Sequence, residues 1–145
     1  MSHWRDLLGG LFDDAEFSDP IGPADMYAVE AAFSVSLPED LQALMAETNG
    51  ITAHYGTAVL WPTAEIIQRN REMRETEDFR SLYMPFEPLL FVGEGGNGDL
   101  YGYRGLAGRI ETLDVYKWDH EDDSRIWFAR DLEDYLQRVA ASEAM

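Results

Sequence analysis

Two stretches of this sequence hold residue types whose spacing could do chemistry. The first is Gly93-Glu94-Gly95-Gly96-Asn97-Gly98-Asp99-Leu100-Tyr101-Gly102-Tyr103. A glycine-rich loop binds phosphate when a strand precedes it and a helix N-terminus follows, because backbone N–H groups and the helix dipole then face the anion. Here Tyr101 and Tyr103 alternate with glycines after the loop, a strand pattern of period two, and no lysine stands in the Walker position. The stretch therefore reads as a wide hairpin turn in which Asn97-Gly98 supplies the positive φ that such turns demand. A calcium-repeat reading fails as well, because Asp99 comes one position too early for G-G-x-G-x-D and the motif does not recur.

The second stretch is Trp118-Asp119-His120-Glu121-Asp122-Asp123. Its carboxylates could hold a hard divalent cation or serve a hydrolase, since such cations take several oxygen ligands. Calcium loops, however, alternate their ligands around a central glycine, and this run does neither. It reads more simply as a solvated turn between two strands, the usual place for a run of like charge. The three histidines, His3, His54 and His120, form no H-E-x-x-H and no helical ligand pair. No G-x-S-x-G and no cysteine offers a nucleophile. Carboxylate pairs of the glycosidase kind are defined in space and leave no trace in the order of residues. The residues thus predict no catalytic group, no metal and no cofactor.

Aromatic residues offer a different chemistry. Trp61, Tyr101, Tyr103, Tyr116, Trp118 and Trp127 fall on or near expected strands, where packing is the default role. Exposed Tyr and Trp also dominate binding hot spots, and Trp61 and Tyr101 are the candidates for such an anchor. Arg69, Arg71 and Arg74 form the single basic cluster, expected to pair with Glu72, Glu75 and Glu77.

The overall charge narrows the partners. Eleven basic and 28 acidic residues give a formal net charge of −17, which repels nucleic-acid phosphates and anionic membrane surfaces. The same field draws in a basic protein partner, although acidic surfaces also serve solubility or a halophilic setting. No membrane span and no signal peptide are visible, and the absence of cysteine fits a cytoplasmic protein.

These residues need elements to position them. At 145 residues the chain predicts one domain, 1–145, with a core over about 23–141 and an N-terminal helical extension. Trp4, Leu7, Leu8, Leu11 and Phe12 recur at helical spacing, weakened by Gly9-Gly10. Pro23 opens a helix through Phe33, and Leu37-Pro38-Glu39-Asp40 starts another that stops at Asn49-Gly50. Strands are expected at 57–61, 89–92, 100–104, 112–118 and 126–129, with a helix after Pro62 and a closing helix over 131–141. Helices in front, a meander of strands behind and a terminal helix predict an α+β fold with a mostly antiparallel, twisted sheet of five to six strands.

Taken in order, these pieces resemble the SUKH superfamily, the Smi/Knr-like proteins. The resemblance rests on Glu30, on Leu37-Pro38-Glu39-Asp40-Leu41 running to Asn49-Gly50, and on Leu60-Trp61-Pro62 with Glu65-Ile66-Ile67. It continues through Gly98-Asp99-Leu100-Tyr101, Trp118-Asp119-His120-Glu121 and the helix near Leu132. The second glycine usual after Asn-Gly in the family is replaced by Ile51-Thr52. The resemblance implies a non-enzymatic, protein-binding role. Bacterial members resemble immunity proteins that neutralise polymorphic toxins, often nucleases, and fungal relatives act in signalling and cell-wall regulation. A basic toxin domain would fit the −17 charge, and a regulatory scaffold without a toxin partner is the alternative. The expected contacts are the acids and aromatics around the glycine loop: Glu94, Asp99, Tyr101, Asp119, Glu121, Asp122, Asp123 and Trp61.

Overall fold

Trp4 and Leu8 recur one turn apart and fold the first segment into helix α1 (His3–Leu11), which buries both. The computed structural model describes residues 3–53, 56–76, 86, 89–95, 98–106 and 109–143. Glu47 accepts hydrogen bonds from the backbone N–H groups of Trp4 (3.2 Å) and Arg5 (3.0 Å). A carboxylate at a helix N-terminus satisfies orphan donors and complements the dipole, so α1 is docked on the body of the protein.

After the short strand β1 (Glu16–Phe17), proline at the first turn opens α2 (Pro23–Phe33), which ends at Ser34 in the left-handed region. The Glu30 carboxylate accepts from Leu37 N–H at 2.8 Å and fixes the path into α3 (Glu39–Met45). Helix α3 starts with Glu39 and Asp40 in its first turn and buries Leu41, Leu44 and Met45.

Asn49-Gly50 does more than stop that helix. Asn49 Oδ1 accepts from Thr63 N–H at 2.9 Å, capping α4 (Thr63–Glu75) from a distant part of the chain. Gly50 has φ +87°, and a Cβ there would lie 2.7 Å from Leu60 O and 2.8 Å from Pro62 N. Only glycine permits both the conformation and the approach. The pair thereby sets β2 (Ile51–Ala53) against β3 (Thr57–Leu60) and delivers the chain into α4.

Strands β4 (Leu89–Glu94), β5 (Leu100–Leu106), β6 (Arg109–Asp119) and β7 (Ser124–Ala129) follow, and α5 (Leu132–Glu143) closes the fold. The described strands form two antiparallel sheets, ordered β1-β2-β3 and β4-β5-β6-β7. The α+β class and the helix placement agree with the sequence pattern. Among the described residues there are seven strands, because β1 and β2 are too short to show alternation and pair off with β3 as a sheet of their own.

The two sheets are stitched together through backbone and side chain. Trp61 N–H donates to Val92 O at 2.7 Å, and Tyr135 of α5 donates its hydroxyl to Val59 O at 2.6 Å. Asn70 of α4 is 1 % exposed and acts as a surrogate strand for β4. Its Oδ1 accepts from Phe91 N–H at 2.8 Å, while Nδ2 donates to Phe91 O and Ile66 O at 2.7 Å each. Buried residues from α1 through α5 share a single hydrophobic cluster. Among the described residues no helix is long and apolar enough to cross a membrane.

Candidate functional site

The hairpin register brings the two chemical stretches together. Leu100 stands opposite Trp118 and Tyr101 opposite Lys117, so Asp99 at the mouth of β5 meets the end of β6. Gly95 N–H donates to Asp99 O at 2.9 Å and closes the loop, with Gly98 at φ +99°. A Cβ on Gly98 would stand 3.2 Å from the His120 ring, so the glycine lets the imidazole lie against the backbone. Asn97 and Gly96 lie outside the described residues, as do His54, Glu77 and Pro88.

Asp99 is 4 % exposed, and its Oδ1 lies 2.9 Å from His120 Nδ1 and 3.3 Å from the His120 backbone nitrogen. Lys117 Nζ sits 3.9 Å from the other carboxylate oxygen. The bond to Asp99 holds His120 above the ordinary histidine range; nearby Glu121 and Asp119 push the same way, and desolvation opposes them. Asp99, Asp119 and His120 could offer three ligand atoms within 4.8 Å of one another, the one such grouping among the described residues. A metal needs the imidazole neutral. The acids around His120 favour its protonated form, and its Nδ1 is committed to the Asp99 carboxylate.

The acidic run folds into the β6–β7 turn by bonding to itself. Asp119 Oδ1 accepts from Glu121 N–H at 2.9 Å. Asp122 Oδ1 accepts from both the backbone N–H (3.0 Å) and the hydroxyl (2.5 Å) of Ser124, and that hydroxyl in particular holds Asp122 below the usual carboxylate range. Asp123, at φ +61°, accepts from Trp118 Nε1 at 2.7 Å and from Arg125 at 3.1 Å. The turn reading of this run therefore describes its geometry.

Several expected contact residues are committed elsewhere. Trp61 is fully buried, correcting its assignment as a surface anchor. It sits where β3 runs into α4, with the Arg69 guanidinium 4.7 Å above its ring. Asp99 is likewise inside, held by His120. Tyr101 is half-buried, packed 4.8 Å from Phe128 and 5.2 Å from Tyr135. Glu94 lies 3.4 Å from Arg69. Glu121 and Asp122 remain exposed.

The arginine cluster also reaches partners beyond its own helix. Arg69 lies 3.4 Å from Glu94, and Arg74 donates to Leu89 O at 3.0 Å while its guanidinium covers Phe33; the expected partner Glu77 lies outside the described residues. Both cations reach across to β4, Arg69 to the Glu94 carboxylate and Arg74 to the Leu89 carbonyl, and lay their guanidinium groups over the Trp61 and Phe33 rings.

Among the described residues the large exposed hydrophobic side chains are Tyr27 of α2, 70 % exposed, and three on the outer strands. Leu113 of β6 and Ile126 and Trp127 of β7 are 45 %, 52 % and 46 % exposed. A signal for them was present in Ile126-Trp127-Phe128, because a strand turns only alternate residues to one face. Three large apolar neighbours cannot all be core.

No curated protein matches the chain. Residues 24–136 match the SMI1-KNR4 cell-wall family (SUKH_6), a span running from α2 into α5. Glu30, Asn49, Gly50, Trp61, Gly98, Asp99 and His120 all lie in that span, and each has an internal structural role. The chain therefore belongs to the SUKH superfamily, whose members are generally non-enzymatic.

Proposed function

We propose that this protein is a cytoplasmic immunity protein, a non-enzymatic domain that binds and blocks a cognate toxin of basic, nuclease type. The observation that carries the reading is the net charge of −17 on a SUKH domain. Nucleases need basic surfaces to hold phosphates, and an acidic partner can cover such a surface and speed its own encounter with it. Glu121 and Asp122, exposed at the β6–β7 turn, supply carboxylates for that purpose, with Glu94 and Asp119 half-exposed behind them.

Co-expression tests the reading. The chain should protect cells from the toxin domain encoded beside its gene, and the purified pair should bind less tightly as salt rises. No toxin-like neighbour, and no protection from any candidate, would sink it. A second reading, a regulatory scaffold recruiting a host protein, draws support from the cell-wall label of the matched family. It expects an isolated gene and a defined host partner in place of a toxin.

A further inference from the structure

We infer that the outer side of α2, with the groove between its first turn and α3, is the docking surface for the basic partner, and that Tyr27 is its anchor. The inference rests on the immunity reading and adds the surface through which it acts.

The acids of this chain are not evenly opposed. Between Arg5 and Arg69 the sequence holds eleven acidic residues and neither lysine nor arginine, whereas residues 69–145 carry ten cations against 17 acids. The N-terminal half is therefore anionic throughout, and the C-terminal half is mixed. A field of one sign is strongest where no counter-charge interrupts it, so a cationic surface is drawn to the N-terminal half.

Helix α2 lies in that half and departs from the usual pattern of a surface helix. It reads Pro-Ala-Asp-Met-Tyr-Ala-Val-Glu-Ala-Ala-Phe, with Asp25 and Glu30 its two charged residues. Met26 and Val29 are buried in the core cluster. Ala24, Tyr27, Ala28 and Ala31 recur at i, i+3, i+4 and i+7, and all four are exposed, Tyr27 at 70 %. The solvent face of a surface helix is ordinarily polar; this one is three alanines around a phenol ring. Among the described residues Tyr27 makes no hydrogen bond and no ring contact. A tyrosine supplies large contact area with few rotatable bonds, which suits it to a binding hot spot.

The surroundings match the same occupant. Met26, the residue before the anchor, lines a groove of about 220 Å³ with Ile21, Gly22, Gln42 and Ala46. Three exposed carboxylates border it in sequence: Asp19 two residues before Ile21, Asp25 beside Met26, and Glu39 one turn before Gln42 on the same side of α3. None of the three pairs with a cation among the described residues.

Charge and shape together select a lysine- and arginine-rich protein surface. The aliphatic stems of those side chains can lie on the alanines while their charged heads reach Asp19, Asp25 and Glu39. A guanidinium over the Tyr27 ring adds a cation–π contact. A second copy of this chain would bring another −17 against the first and be repelled.

The test uses the full chain and the inactivated basic toxin domain encoded beside its gene, with affinities measured by calorimetry. Tyr27→Ala should weaken binding about 30-fold, the size of a hot-spot truncation, while Tyr27→Phe keeps the ring and should stay within about threefold. Ala28→Arg sets a cation on the same face in a good helix former and should weaken binding at least as much as Tyr27→Ala. The hairpin pair Glu121→Gln with Asp122→Asn should cost only about threefold and chiefly slow association. Unchanged thermal melts keep the comparison fair, and Ala28→Arg decides if Tyr27→Ala melts early. Binding that survives both Tyr27→Ala and Ala28→Arg overturns this surface while leaving the immunity reading intact. Absence of binding and of protection by the wild-type chain overturns both. Sedimentation as a dimer that Tyr27→Ala dissolves would make a second copy the occupant and overturn the basic partner.

Discussion

His120 Nδ1 and Asp99 Oδ1, 2.9 Å apart, tie the β4–β5 loop to the β6–β7 turn. Because the bond to Asp99 raises the His120 pKa on folding, the folded state keeps this proton to higher pH than the unfolded chain does. Such a group contributes its stability in full below the unfolded value of about 6.5 and loses it as pH rises through the folded value. The tie between the two loops should therefore loosen above that range. An NMR titration of the imidazole should place its midpoint above the unfolded value, and Asp99→Asn should lower it. A midpoint indifferent to Asp99→Asn would show that the pair is not what holds the proton.

Asn70→Ala should destabilise the fold strongly. The change leaves Phe91 N–H and two carbonyls without the side chain that satisfies them in a site 1 % exposed. Buried polar groups stripped of partners cost about 1–3 kcal/mol each, so a loss of roughly 3 kcal/mol is expected from urea unfolding. Asn70→Asp should fare no better, because it cannot donate to the two carbonyls.

Asn49→Ala removes an acceptor from the first turn of α4 and should cost about 1 kcal/mol, whereas Asn49→Asp keeps the acceptor and should cost less. Thermal melts of the two variants, compared with the wild type, separate the cap from a general effect of substitution.

Glycines give opposite signs in different places. Gly50→Ala forces a Cβ to 2.7 Å from Leu60 O at φ +87°, and should cost more than about 1 kcal/mol. Gly9→Ala and Gly10→Ala, inside α1 with nothing within 4 Å of the added carbon, should each gain about 0.5–1 kcal/mol. Equal destabilisation by all three would contradict the packing described for them.

The elements were legible where one signal dominated. Pro23 at a helix start, the Asn49-Gly50 stop and the alternation of Tyr101 and Tyr103 each mark a local conformation. The division into two sheets was not legible, because β1 has two residues and β2 three, and their pairing is decided by contacts far along the chain. At the candidate site the same distinction holds. That Asp119–Asp123 forms a turn follows from its charge, but the burial of Asp99 and Trp61 depends on what β6 and α4 bring over them. Trp61 and Trp127 are both strand-associated tryptophans, and only the tertiary fold separates the buried one from the exposed one.

The inward commitment of Glu30, Asn49, Gly50, Trp61, Asp99 and His120 has a consequence for how such a protein can change. The residues that make the chain recognisable spend their bonding capacity on one another and on the backbone. Half-exposed positions such as Leu113, Ile126 and Trp127 contribute far less to holding the chain together. Scaffold and surface are thus separable, and one body can be re-surfaced without first being re-stabilised.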